Sequence, residues 1–118
     1  MNTMIEPNLD VARVFQALGD PTRRAIVERL SDGPCSVSAL ADPLGVTVTA
    51  VSQHMQVLEA CGLASTNKLG RVRTCRLETA GFDVVSEWIF ERRSVWNQRL
   101  DRLADVLART AQATNRLD

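Results

Sequence analysis

Two residues, Gly45 and Val46, separate the end of one helical pattern from the start of the next, and this link constrains the 118-residue chain most. Ser36 caps the first pattern, which runs to about Leu44 with Val37, Leu40 and Ala41 inward. Pro43 lies in its last turn, where the missing N–H removes a backbone bond and ends the helix sharply. Thr47 caps the second pattern, whose Val51, Met55, Val57 and Leu58 supply apolar contacts before Gly62 stops it. Two helices joined by so short a turn, with a glycine in it, read as a helix-turn-helix.

The flanking segments follow the same logic. Leu9 to Leu18 predicts a first helix with Val11, Val14, Phe15 and Leu18 on one stripe. In "GDPTRRAIVERLSDG", Asp20 is the expected N-cap and Pro21 the first helical residue. This second helix buries Ala25, Ile26 and Leu30 and ends near Gly33, expected as a left-handed cap. After Leu63 the period changes. "LASTNKLGRVRTCRLE" alternates around a Leu69-Gly70 turn, which signals a hairpin. Alternation puts Arg71, Arg73, Cys75 and Leu77 on one face, with Cys75 and Leu77 reaching the core and the arginines near the tip. Val72 falls on the other face.

Phe82 to about Ala111 predicts one long helix or two abutting ones, with Val85, Trp88, Ile89, Trp96, Leu100, Leu103 and Leu107 mostly at three- and four-residue steps. About 30 residues at 1.5 Å each would span ~45 Å, more than a domain of this size needs internally. The excess, the apolar seam and both tryptophans suggest pairing with a second copy. The chain is therefore expected to be one domain of residues 1–118, with residues 9–78 as a core and residues 79–113 as a dimerisation region. The fold expected is mainly α with a small β-hairpin wing.

The second helix of the pair poses a question. It opens with Thr47, Thr49, Ser52 and Gln53, although serine and threonine lower helix propensity. Charge supplies part of the answer. The formal net charge is zero, yet residues 1–42 carry −2, residues 43–77 carry +3 and residues 78–118 carry −1. The positive segment holds Lys68, Arg71, Arg73 and Arg76 against Glu59 alone. A local basic patch is enough to find phosphate, because binding depends on the contacting surface.

Other readings are narrower. No run approaches the ~18 to 20 apolar residues of a membrane span, and "MNTMIEPNLDVARV" lacks the basic leader and apolar stretch of a signal peptide. Cys35, Cys61 and Cys75 are odd in number and without CxxC spacing, which suggests free thiols in a reducing compartment, most simply the cytoplasm. An enzyme is not expected: there is no phosphate-cradling glycine loop, metal constellation or base paired with a nucleophile. His54 and Cys61 share a helix face but lie ~10 Å apart by helical rise.

Helices, helix-turn-helix and basic hairpin in this order make a winged helix-turn-helix. "ALGDPTRRAIVERL", "SVSALADPLGVTVTAVSQHMQVLEACGLAS" and "GRVRTCRL" resemble the ArsR-type family of bacterial transcriptional repressors over roughly Val11 to Leu77. "FERRSVWNQRLDRLADVL" is similar to a subgroup whose last helix carries a tryptophan followed by RLDRL. The resemblance implies a homodimer that binds double-stranded operator DNA through a recognition helix and a wing.

It also implies base-facing positions at Val48, Thr49, Ser52 and Gln53, at the N-terminal turns of the second helix. Small hydroxyls and amides donate and accept there without bulk, and Gln53 suits a bidentate contact to adenine. Many members carry glutamine where this chain has Val48, which can touch only a thymine methyl. Thr47, Gln56 and Lys68 complete the candidate DNA contacts, and Arg71 and Arg73 are placed to enter a minor groove or clamp phosphates. The alternative for the wing is a solvated strand face. His54 contacts phosphate or packs between helices. Arg23 and Arg24 match family positions tied to structure or backbone phosphate.

The dimer contact is expected from the first helix, with Val14 and Leu18, and from Trp88, Ile89, Trp96, Leu100, Leu103 and Leu107. Metal-sensing members carry a Cys-Val-Cys-Asp-Leu pattern. Aligned through "LADPLG", its cysteines fall on Ser36 and Ser38, with Cys35 one residue off. The other family metal site wants several histidines, and His54 is the only one. No metal or cofactor is therefore expected, and a thiol switch, a small-molecule effector or none stay open. The rival function is a winged helix used for protein–protein contact, which shares the core and the long helix. It needs neither a basic wing nor a hydroxyl-lined helix face.

Overall fold

Four oxygen-bearing side chains start the four short helices. The computed structural model describes residues 10–117, with side chains as far as residue 115. In α1 (Val11–Leu18) the Asp10 carboxylate accepts from the Ala12 N–H at 3.0 Å. In α2 (Pro21–Leu30) Asp20 accepts from the Arg23 N–H at 3.0 Å. Ser36 Oγ accepts from the Ala39 N–H at 3.1 Å to open α3 (Val37–Leu44), and Thr47 Oγ1 accepts from the Ala50 N–H at 3.0 Å to open α4 (Val48–Ala60). Each satisfies one of the donors that a helix start leaves unpaired. Leu9, expected to begin the first helix, lies outside the described residues.

Glycine ends two of these helices. Gly45 (φ +67°) and Gly62 (φ +75°) take the left-handed conformation that other residues resist. The Val46 N–H reaches Ala41 O at 3.3 Å and the Gly45 N–H reaches Asp42 O at 3.1 Å. After α4, Leu63 N–H donates to Leu58 O at 2.9 Å and Gly62 N–H to Glu59 O at 3.1 Å. Both are Schellman arrangements. The expectation for Gly33 fails. α2 stops at Leu30 with Ser31 as its right-handed cap, and Gly33 at φ +137° lies outside the left-handed helical region.

The sheet has one strand more than expected. β1 (Cys35–Ser36) pairs antiparallel with β3 (Val72–Leu77), which pairs with β2 (Ala64–Leu69), giving the order β1-β3-β2. Leu69 pairs with Val72, so the turn is Gly70-Arg71, one residue beyond the expected Leu69-Gly70. Of these two turn residues only Gly70 has positive φ (+64°), the backbone pattern of a type II′ hairpin. Arg71 consequently belongs to the turn and not to the strand face assigned to it.

The chain divides into two compact units, Met1–Ser86 and Glu87–Asp118. The core of the first is formed by Val14 and Ala17 of α1, Ile26 and Leu30 of α2, Val37, Leu40 and Ala41 of α3, and Val51, Met55 and Leu58 of α4. Cys61, Leu63, Ala64 and Cys75 complete it, and no polar residue is buried among the described residues. Each large side chain so buried contributes roughly 1.5–3 kcal/mol. Three assignments change. Phe15 is 43% exposed and Val57 is also exposed, because each points away from the stripe that packs. Val14 is 0% exposed, which removes it from any surface between chains.

α5 (Ala80–Leu117) is one continuous helix of 38 residues, longer at both ends than expected. Gly81 lets it start hard against the end of α4: its N–H donates to Gly62 O at 2.7 Å, and a Cβ there would lie 2.5 Å from Cys61 O. Phe82 and Val85 pack on the core. Within the second unit, Phe90 (70% exposed), Trp96 (60%), Leu100, Leu103 and Leu107 remain open, and Arg92 lies 5.0 Å over the Trp88 ring. Among the described residues no helix is long and apolar enough to cross a membrane.

Candidate nucleic-acid interface

With Val51, Met55 and Leu58 buried, α4 presents the opposite side. Val48, Thr49, Gln53 and Gln56 are exposed there and Ser52 is half-buried, a set one and four residues apart that shares one helix face. Thr47 has a prior duty. Its Oγ1 accepts from Ala50, so the hydroxyl proton is what it can still offer outward.

The wing meets this face. Ser52, Gln56 and Glu59 of α4 line a groove of ≈ 270 Å³ together with Thr66, Lys68 and Arg73. A second groove of ≈ 260 Å³ joins Val48 to Arg71, Val72 and Arg73, with Ser36 and Ser38 at the start of α3. Of the residues predicted from sequence, Val48, Ser52, Gln56, Lys68, Arg71 and Arg73 gather along two adjoining grooves, whereas Thr47, Thr49 and Gln53 line neither. Glu59 and the serines of α3 are additions. Glu59 follows Ser52 and Gln56 at four- and three-residue steps, so helical spacing alone could have found it.

The tip of the hairpin is electrostatically unfavourable as it stands. Lys68 and Arg73 are directly opposed partners, and like charges so placed destabilise a sheet. Arg71 adds a third cation in the turn, next to Leu69 (82% exposed) and the exposed Val72. Among the described residues none of these three cations makes an ion pair. Arg76 differs: its Nε lies 3.5 Å from Glu78 Oε2 and 3.4 Å from Ser65 Oγ. Ser65 in turn donates to Glu78 at 2.5 Å. Arg76 is thus neutralised while Lys68, Arg71 and Arg73 are left for an outside anion.

His54 turns inward. Arg23 has only donors, so its contact at 3.3 Å with His54 Nδ1 makes that nitrogen the acceptor and puts the ring proton on Nε2. Asp20 Oδ2 is 3.9 Å from the same nitrogen, beyond hydrogen-bonding range. The packing alternative for His54 holds. Arg23 also donates through Nε to Ala17 O at 2.7 Å and through a terminal nitrogen to Gln16 O at 3.3 Å, and Arg24 donates to Leu18 O at 2.8 Å. Both arginines satisfy the last carbonyls of α1, a helix with no basic residue in its own last turn. The Arg23 N–H that Asp20 accepts holds its carboxyl below the usual value of 3.8, against the pull of burial and with help from the Arg23 charge.

In sequence and in fold the chain is similar to known proteins. Residues 18–66 match the family model of a helix-turn-helix domain. The HTH-type transcriptional regulator Rv2034 of Mycobacterium tuberculosis is 48% identical over 69 residues, 58% of this chain and 64% of that protein. The chain thus accounts for less than two thirds of that relative's length. The crystal structure of the ArsR family transcriptional regulator RHA00566 superposes with a TM-score of 0.69 at 44% identity, over 73% of this chain and 94% of that one. A homodimeric winged helix-turn-helix DNA-binding domain from Mycobacterium bovis, Mb0332, a possible ArsR-family regulator, gives a TM-score of 0.56 at 30% identity, over 78% of this chain and 82% of that one.

Proposed function

Since the chain belongs to the ArsR family of transcriptional regulators, we propose that it is a sequence-specific DNA-binding repressor that acts as a homodimer in the cytoplasm. The observation that carries this reading is the joint groove: the polar face of α4 and the uncompensated cations of the wing line the same surface. A major groove admits a helix, and α4 leads with the short side chains that base edges accept. In this reading Val48, Thr49, Ser52 and Gln53 meet bases, with Gln53 on an adenine and Val48 on a thymine methyl. Lys68, Arg71 and Arg73 hold phosphate or enter the minor groove, and Thr47 and Gln56 contact the backbone. Residues 9–78 form the DNA-binding part and residues 79–113 the dimerisation part.

Dimerisation in this proposal uses Leu18 and Phe15 of α1 and the side of α5 that carries Trp88, Ile89, Trp96, Leu100, Leu103 and Leu107. The homodimeric state of Mb0332 supports it. A two-fold pair of α4 helices would read half-sites about one helical turn, ~34 Å, apart.

The test is binding of the chain to a duplex from its own upstream region and to a scrambled duplex, each at two salt concentrations. Salt-dependent binding that prefers the upstream duplex supports a self-regulating repressor. Equal, weak binding to both points to an operator elsewhere. No binding to either at low salt overturns the reading in favour of a protein-interaction module.

A further inference from the structure

The register of the sheet sets two thiols face to face. Cys35 of β1 and Cys75 of β3 are direct partners in the antiparallel ladder. Directly opposed residues send their Cβ atoms to the same face, about 4.5–5.5 Å apart. A disulfide needs about 3.5–4.5 Å between those atoms. Closing the pair therefore asks for roughly 1 Å of approach, and β1 is only two residues long, so little ladder has to move with it. Both cysteines are free thiols. Cys75 is fully buried and Cys35 half-buried against the same core.

We propose that Cys35 and Cys75 are a modification site: a hydroperoxide oxidises them, reversibly, to a cross-strand disulfide that closes the base of the wing on the start of α3. Cys35, the sulfur a solute can reach, attacks the terminal oxygen of the hydroperoxide. The O–O bond breaks, an alcohol or water leaves, and Cys35 becomes a sulfenic acid. Cys75 then attacks the Cys35 sulfur. The S–S bond forms, the S–O bond breaks, and the hydroxyl departs as water with the Cys75 proton. Two thiols lose two electrons and two protons, and the peroxide gains them.

The chemistry of the three thiols separates their roles. Burial pushes the Cys75 thiol up, and the neighbouring Cys35 adds to the effect, so Cys75 suits the second, resolving step. Burial also raises Cys61, which ends α4 and donates to Val57 O at 3.4 Å. Cys61 is the internal control. The bond would enclose residues 36–74, which contain α3, α4 and β2 entire. Because its closure strains the ladder slightly, it belongs with the readily reduced disulfides and not with permanent ones.

The experiment treats the full chain, unfolded at no stage before blocking, with stoichiometric hydrogen peroxide. Remaining thiols are then counted and mapped by mass spectrometry. The count should fall from three to one, the survivor should be Cys61, and the peptides bearing Cys35 and Cys75 should be joined with loss of two hydrogens. Dithiothreitol should restore all three. Cys35→Ser should abolish the link, and Cys61→Ala, which keeps the pair, should form it as the native chain does. Over-oxidation of Cys35 beside an untouched Cys75, a Cys35 link between two chains, or modification confined to Cys61 would each overturn the proposal.

Discussion

Arg23 directs every donor group it is seen to use into the protein: to two carbonyls of α1 and to His54 on α4. A guanidinium so engaged is a structural cation, in contrast to Arg71 and Arg73. From sequence, "PTRRAIV" showed two arginines beside a helix start but not where they reach, because the acceptors are backbone oxygens that carry no side-chain signal. His54 was undecidable because its partner, the Arg23 side chain, lies 31 residues away in sequence and meets it only in the fold. Gln53 was legible, since exposure on α4 follows from helical period. Gln53→Ala should leave the fold intact and relax discrimination at one base pair by about 1–3 kcal/mol, read from affinities for duplexes varied one position at a time. Asp20 gives a pH-dependent prediction. Its folded-state pKa is lowered, so its contribution is complete above its unfolded value near 3.8 and is lost as pH falls through the lower folded value. Asp20→Asn should therefore unfold at lower urea than the native chain at neutral pH, and the two midpoints should converge in strong acid.

The elements differ in how plainly they announce themselves. α3, its turn and α4 were readable to the residue at Ser36, Gly45 and Thr47, because caps and left-handed glycines are chemical requirements at fixed offsets. β1 was not readable. Two residues offer no period, and Cys35-Ser36 becomes a strand only because β3 lies beside it. The turn slipped by one residue because Gly70 was read as the second turn residue, whereas a type II′ hairpin takes its glycine first, and the pairing across the strands follows that preference. That slip matters for the wing, since it makes Arg71 the outermost cation. Replacing Arg71 and Arg73 by alanine should weaken binding to all duplexes alike. It should also flatten the dependence of log affinity on log salt by about one unit for each phosphate left without its cation. Removing Arg73 should relieve its repulsion with Lys68, so the double variant should melt no lower than the native chain.

At the scale of the whole molecule, a net charge of zero conceals a positive middle third, and the apolar seam of α5 has no counterpart in a small domain's own needs. Leu100→Glu together with Leu103→Glu should convert the proposed homodimer to monomers in sedimentation velocity, with operator affinity falling steeply as the half-sites lose their linkage. Circular dichroism should retain the signal of the Met1–Ser86 unit, whose core excludes both residues. The arginine ties on α1 bear on something else, the order in which the chain acquires its structure. An eight-residue helix is marginal by itself, and the groups that complete its end belong to α2. As the chain emerges during synthesis, α1 is made before α2 yet must wait for Arg23 and Arg24, and Arg23 in turn meets His54 only after α4 exists. Of the described helices, the first to be synthesised is thus among the later ones to be secured, and its amides should become protected from hydrogen exchange only when the helix-turn-helix has closed over them.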